Sequence, residues 1–152
     1  KYEELARALN VKLEDRVLVE QVRSAVLSLR ALKGMLLDKG DHDTWSAGSF
    51  FVNPIVSADV ASSLPADAPR WPQADGRVKT SAAWLMERAG VKKGDCYEGA
   101  GVSKKHVLAL VNNGNAKASD LIELARSSRR AVKEKFGITL EPEVQFVGLS
   151  LD

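Results

Sequence analysis

A serine and an asparagine stand four positions apart in Gly48-Ser49-Phe50-Phe51-Val52-Asn53-Pro54, with two aromatic rings between them. In extended chain, alternate side chains point to opposite faces, so Ser49, Phe51 and Asn53 share one face and Phe50 and Val52 the other. Asn53 precedes a proline, which biases it toward extended backbone. One face then offers a hydroxyl and a carboxamide around a ring, and Gly48 lets a ligand or another backbone come close to Ser49. The same pattern also fits a buried strand with polar ends, and the residues alone leave both readings open. Glu141-Pro142-Glu143 sets two carboxylates astride a proline, either as exposed edge charges or as site groups. Trp71, in a polar loop, suits stacking on a base or packing over a sugar, or else pins the loop to the core. Lys92, Lys93, Lys104 and Lys105 bracket the glycine-rich run Val91 to Ser103. That run is either a solvated loop or a shallow anion site of lysine charges and free backbone N–H groups. His106 opens an apolar run, where a lone histidine is more often structural than a ligand.

Several chemistries find no support. The glycines lack the G-x-G-x-x-G spacing in a strand–turn–helix unit, and no G-x-x-x-x-G-K-[ST] occurs. One cysteine and two distant histidines do not make a usual zinc site. No Ser/His/Asp arrangement stands out. A net charge of +2 with 28% charged residues demands neither nucleic acid nor a membrane surface. No apolar run is long enough to span a bilayer and no signal peptide opens the chain. The single Cys96 rules out an internal disulfide, so a reducing cytoplasm is the default. The first residue is Lys1 and not methionine, so the sequence is expected to start inside something longer.

The elements that must position these groups are mostly helical. Tyr2 to Leu9 reads as a short helix with Leu5, Ala6 and Leu9 on one side. Leu18 to Lys33 is the clearest amphipathic helix, with Val19, Val22, Val26 and Leu29 at helical spacing, Arg23 and Arg30 facing away, and Gly34 at its end. Asp38 to Ser46 is a polar linker that leaves the register between Lys33 and Ser49 open. Ile55 and Val56 continue the central strand. Ser57 caps a short helix through Leu64, Pro65 to Arg77 is a loop, and Val78 to Thr80 is extended. Ser81 caps a helix from Ala82 to Ala89, stopped by Gly90. Val107 to Val111 reads as a buried strand. Ser119 caps a last helix, Asp120 to Phe136, whose buried stripe is Leu121, Leu124, Ala125, Val132 and Phe136. Ile138 to Leu140 and Val144 to Leu149 read as strands broken at Pro142. At 152 residues and 45% hydrophobic content this makes one α+β domain, residues 1–152, with a small mixed or antiparallel sheet packed against four or five helices.

Four blocks, in order, carry a resemblance: Ala47-Gly48-Ser49-Phe50-Phe51-Val52-Asn53-Pro54; Trp71-Pro72-Gln73-Ala74-Asp75-Gly76-Arg77-Val78-Lys79; Gly99-Ala100-Gly101-Val102-Ser103-Lys104-Lys105-His106; and Leu140-Glu141-Pro142-Glu143-Val144. Over nearly its whole length the chain resembles the substrate-binding C-terminal part of the UDP-N-acetylenolpyruvoylglucosamine reductase family of peptidoglycan precursor synthesis. The resemblance implies that NADPH reduces FAD, which passes hydride to the enolpyruvyl group of UDP-N-acetylglucosamine enolpyruvate to give UDP-N-acetylmuramate. It implies that the FAD-binding portion lies upstream, outside this chain, with a catalytic arginine. Ser49 matches the family's proton donor and Glu143 its catalytic glutamate. A carboxylate cannot stabilise added negative charge, so Glu143 is expected to be protonated, or bridged to a cation, when the enolate forms. Tyr2, Lys33, Asn53, Trp71, Lys79, Lys92 and His106 lie at or near family substrate contacts, with Lys93 as alternative to Lys92. Val52 and Gln145 stand where many relatives carry lysine and arginine, which removes positive charge near the site.

The chain is expected to be cytoplasmic and monomeric, without nucleic-acid or membrane partners; because the resemblance puts the flavin portion upstream, the isolated fragment is expected to be colourless and inactive. The alternative is a non-catalytic UDP-sugar-binding module. A nucleic-acid-binding domain would rest on the basic loop alone.

Overall fold

The computed structural model describes residues 2–152. Two helices, α1 (Glu3–Leu9) and α2 (Val19–Leu32), open the chain. They pack on each other, and no residue of either is buried. The apolar stripe of α2 is therefore only partly covered: Val22, Val26 and Leu29 are half-buried, while Val19 and Leu32 remain exposed.

Gly34 fastens the end of α2 to the linker, and its φ of +68° disfavours other residues. A Cβ there would meet the Asp43 carbonyl oxygen at 2.8 Å. The linker is correspondingly ordered. A 3₁₀ turn spans His42–Thr44, the Thr44 hydroxyl donates to a linker carbonyl and accepts from the Asp38 N–H, and Trp45 Nε1 donates to the Asp38 carbonyl. Asp41 and Lys105 pair across it, which holds the Asp41 carboxyl below the usual carboxylate range.

β1 (Ser46–Ser49) leads into the central stretch. It belongs to an antiparallel four-stranded sheet, order β1-β7-β6-β5, completed by β5 (Cys96–Tyr97), β6 (Ala100–Val102) and β7 (Ala109–Asn112). A second antiparallel sheet, order β2-β4-β3, consists of β2 (Ile55–Val56), β3 (Trp71–Pro72) and β4 (Val78–Lys79). α3 (Ala58–Ser63) and α4 (Ala82–Arg88) start at Ser57 and Ser81, whose side chains accept from the Val60 and Trp84 N–H groups as N-caps do. α5 (Ala118–Phe136) packs on α4 and on β5, β6 and β7. The core centres on Phe51, Leu85, Met86, Val102, Val132 and Leu140.

Several expectations are corrected. Among the described residues the α+β class and five α-helices hold, and of the two expected sheet types every ladder is antiparallel; the difference is that there are two sheets where one was expected. Ile55–Val56 does not continue the β1 strand but pairs with β4, because Asn53-Pro54 turns the chain toward α4. The glycine-rich run is a hairpin whose second strand, Ala100–Val102, is buried in the core. Two of its glycines face the chain itself: Cβ atoms at Gly99 and Gly101 would meet Ala116 at 2.6 Å and Asn113 at 2.8 Å. α5 begins at Ala118 and not at Asp120; Lys117 occupies the N-cap and the Asp120 carboxylate accepts its N–H. Ile122 joins its buried stripe, while Leu121 and Phe136 lie half-buried against the core. Residues 138–140 and 144–149 form no regular strand; the one ladder-like contact there is an isolated bridge between Phe51 and Pro142.

Candidate functional site

Three backbone bonds assemble the site. The Phe50 N–H donates to the Leu108 carbonyl at 2.8 Å, the Glu143 N–H donates to the Phe50 carbonyl at 2.8 Å, and the Val52 N–H donates to the Glu141 carbonyl at 3.0 Å. Residues 50–52 thus lie between the entry to β7 and the Glu141-Pro142-Glu143 segment. A proline is tolerated there because the pairing is a single bridge at an edge. Phe50 and Phe51 are both buried and meet edge to face, 5.0 Å between centroids, so the strict two-face alternation fails here. Val52 is the exposed member.

This pairing brings Ser49 and Glu143 to the wall of one cleft of about 380 Å³, with Arg30 and Lys33 from the end of α2, Gly48, and His106. Gly48 has a φ of +85°, and a Cβ there would meet nothing within 4 Å, so the approach to Ser49 on that side is open. The Ser49 hydroxyl and the Glu143 carboxylate engage no other described residue. Lys33 Nζ pairs with Glu4 of α1 at 2.6 Å. His106 Nδ1 accepts the Leu108 N–H at 3.1 Å, which requires an unprotonated Nδ1 and places the ring proton of the neutral form on Nε2. Burial first, then the ammonium groups of Lys93 and Lys33, hold the His106 pKa below its ordinary 6.5, against a smaller opposing effect of Glu87.

That depression has a sign. A folded pKa below the unfolded one means the unfolded chain takes up the proton first as pH falls. The contribution vanishes well above pH 6.5 and destabilises the fold below it. His106→Asn keeps an acceptor near the Nδ1 position without titrating. Urea midpoints measured at pH 8 and pH 5.5 are expected to fall less for His106→Asn than for the unchanged protein; equal falls would show that His106 does not carry this pH dependence.

The other singled-out residues are placed elsewhere. Tyr2 is exposed and lines an adjoining cleft of about 540 Å³ that shares Arg30, Lys33 and Met35 with the first. Asn53 Oδ1 accepts the Ala82 N–H at 2.9 Å, tying the central stretch to the start of α4. Trp71 and Lys79 are directly opposed across β3 and β4, and Trp71 is exposed. Ile55 is also a Cα partner of Lys79 and is six residues from Ser49, so the Lys79 Cα lies no more than about 27 Å from that of Ser49. Lys92 is exposed and begins the turn into β5, donating its N–H to Asp95. Of the two candidate lysines, Lys93 is the one whose charge acts on His106.

Arg30 is exposed, as its spacing predicts, and its side chain also borders the cleft one turn before Lys33. The i, i+3 spacing of Arg30 and Lys33 is the signal that both share a helix face. Among the described residues no group of three His, Cys, Asp or Glu is placed to hold a metal ion, and no helix is long and apolar enough to cross a membrane. In the 91–103 hairpin Gly99 and Gly101 are closely backed by Ala116 and Asn113, while a Cβ at Gly94 would meet nothing nearer than the Lys104 side chain at 3.8 Å.

Comparison with known proteins gives one family. The protein-family model for the UDP-N-acetylenolpyruvoylglucosamine reductase C-terminal domain matches residues 40–147. The UDP-N-acetylenolpyruvoylglucosamine reductase of Thermobifida fusca is 52% identical over 161 residues, covering 99% of this chain and 45% of that protein. That of Cutibacterium acnes is 51% identical over 154 residues, covering 99% of this chain and 40% of that protein. A crystal structure of the reductase from Thermus caldophilus aligns at a TM-score of 0.47 and 29% identity, covering 88% of this chain and 37% of that one. The chain thus spans less than half the length of these relatives.

Proposed function

The chain belongs to the UDP-N-acetylenolpyruvoylglucosamine reductase family, through its C-terminal domain, and from that premise we propose that it is the substrate-binding part of a reductase converting UDP-N-acetylglucosamine enolpyruvate to UDP-N-acetylmuramate in peptidoglycan synthesis. The supporting observation is that Ser49 and Glu143 line one cleft, together with Arg30, Lys33 and His106. FAD, reduced by NADPH, would supply the hydride. The family resemblance assigns its site to an upstream portion, residues 1–152 acting as one substrate-binding unit in a cytoplasmic monomer.

This chain's own task is the proton and the charge. When the enolpyruvyl double bond takes hydride at C3, negative charge collects on C2 and the attached carboxylate. The Ser49 hydroxyl, free of other bonds, delivers its proton to C2. A serine hydroxyl is a weak acid, so this works only when it is held against the forming carbanion. The cleft is open beside Gly48, and water reloads the hydroxyl. Glu143 stands next to the developing charge and takes part as the protonated acid or through a bridging cation. Lys33, fixed by Glu4, and Tyr2 beyond it border the adjoining cleft and bind the diphosphate. Trp71 stacks on the uracil ring with Lys79 opposite it on the same sheet. Asn53 orients the sugar-side backbone through its bond to α4, and either Lys92 or Lys93 adds positive charge.

Calorimetric titration of the chain with UDP and with the UDP-sugar substrate tests this reading. Both are expected to saturate. Trp71→Ala should weaken both by about 10-fold, the worth of one base stacked on an aromatic ring, and Lys79→Ala should weaken both as well. No heat with either ligand, or Trp71→Ala binding both as tightly as the unchanged chain, would overturn it.

A further inference from the structure

We propose that Arg70 is a positioning residue for the uracil end of the substrate: its guanidinium locks the chain that leads into Trp71 and so holds the indole ready to stack. This deepens the substrate reading above and rests on it. Trp71 begins β3, a two-residue strand at the edge of the β2-β4-β3 sheet, and its side chain is exposed. A two-residue ladder at a sheet edge gives little hold by itself. On the far side of Trp71, the Gln73 side chain donates to the Trp71 carbonyl at 2.7 Å. On the near side, residues 64–70 form neither helix nor strand.

Arg70 closes that segment on itself. Its Nε donates to the Ala61 carbonyl at 3.1 Å. Nη1 donates to the carbonyls of Ala66 at 3.2 Å and Ala68 at 2.9 Å, and Nη2 to those of Leu64 at 2.8 Å and Pro65 at 3.0 Å. Ala61 lies in the last turn of α3 and Leu64 is its C-cap, where carbonyls lack helical partners. A guanidinium has five N–H groups, so the chain's own carbonyls engage all of them. None remains for a phosphate or a carboxylate, and Arg70 therefore acts through what it holds. The residue it holds directly, across one peptide bond, is Trp71. The buried Thr80 hydroxyl adds a single bond to the Pro69 carbonyl at 2.8 Å, from the residue that follows β4. A ring that must be ordered on binding loses part of its stacking energy to that ordering, and a ring already held keeps it.

The test uses the full-length protein with its flavin bound, in four forms: unchanged, Arg70→Ala, Trp71→Ala and the double variant. Calorimetric affinity for UDP should fall about 3- to 10-fold in Arg70→Ala, the range for ordering one side chain on binding. The double variant should bind UDP within about 2-fold of Trp71→Ala, because without the indole Arg70 has nothing to present; coupled residues show such non-additivity. A general loss of structure would instead multiply the two losses. KM for UDP-N-acetylglucosamine enolpyruvate should rise in Arg70→Ala with kcat unchanged, since Ser49 and Glu143 line a cleft that Arg70 does not border. Arg70→Lys offers three N–H groups in place of five, should fall between, and replaces Arg70→Ala throughout the test if that variant does not fold. UDP affinity in Arg70→Ala within about 2-fold of the unchanged protein would overturn the assignment, as would losses that multiply in the double variant. Trp71→Ala binding UDP as tightly as the unchanged protein would instead remove the stacking reading itself, and the role of Arg70 with it.

Discussion

Ser49→Ala, introduced into the full-length protein, should slow reoxidation of the reduced flavin by UDP-N-acetylglucosamine enolpyruvate by about 10²- to 10⁴-fold, the usual worth of a positioned proton donor. Reduction of the flavin by NADPH should keep its rate. The two half-reactions separate because only the second needs a proton at C2. The substitution removes one oxygen from a half-buried side chain that bonds no other described residue, so it leaves no orphaned partner and no packing defect. Ser49 backbone pairing with Ala109 in β7 is also retained, since alanine keeps the same N–H and C=O. Stopped-flow absorbance of the flavin reads both steps. Normal rates in both would remove Ser49 from the chemistry; slowing of both would mean that the substitution distorts the site and not the proton transfer. Ser49→Cys is a second check, because a thiol is a stronger acid and should restore part of the rate.

The parts of this molecule that are legible in the sequence are those fixed by neighbours a few residues away. Ser57 and Ser81 announce α3 and α4 because an N-cap needs only a side-chain oxygen and an N–H three positions on. Gly34 announces the end of α2 because a positive φ is a local demand. The misread parts depend on distant partners. Val91 to Ser103 looks like a loop because its glycines suggest flexibility, yet at Gly99 and Gly101 it is the close approach of Ala116 and Asn113 that leaves no room for a side chain. Ile138 to Leu140 has strand-like residues, but no strand lies alongside them for a ladder. Ile55 and Val56 carry the right composition for β1 and belong to another sheet, since one bond from Ala82 to Asn53 redirects the chain.

The site shows the same division. Ser49 and Glu143 can be picked out by type and motif, but that they share a cleft depends on three backbone bonds no periodicity encodes. Helical spacing sends Arg30 to solvent, and it is exposed; that the same face also borders the cleft depends on where the end of α2 lies, which no spacing encodes.

Phe51→Ala is expected to be the most destabilising single change near the site, costing about 3–5 kcal/mol. Phe51 is 1% exposed, the largest of the fully buried side chains, and its ring joins Phe50 in an edge-to-face pair. Truncation leaves a cavity in the core cluster that includes Leu85, Met86 and Leu140, and loses the aromatic pair as well. A domain of this size has about 5–15 kcal/mol of stability in all, so such a loss takes a large share of it. The local consequence reaches the chemistry, because Phe51 bridges Pro142 and its neighbours carry the bonds that set Glu143 beside Ser49. Val52→Ala is the matched control: Val52 is 37% exposed, its N–H to the Glu141 carbonyl survives the change, and its cost should stay within about 0.5 kcal/mol. Urea unfolding of the two variants beside the unchanged chain reads the difference as a shift in midpoint at constant slope. A Phe51→Ala loss no larger than that of Val52→Ala would mean that the central stretch is not part of the core, and that the placement of Ser49 against Glu143 has some other support.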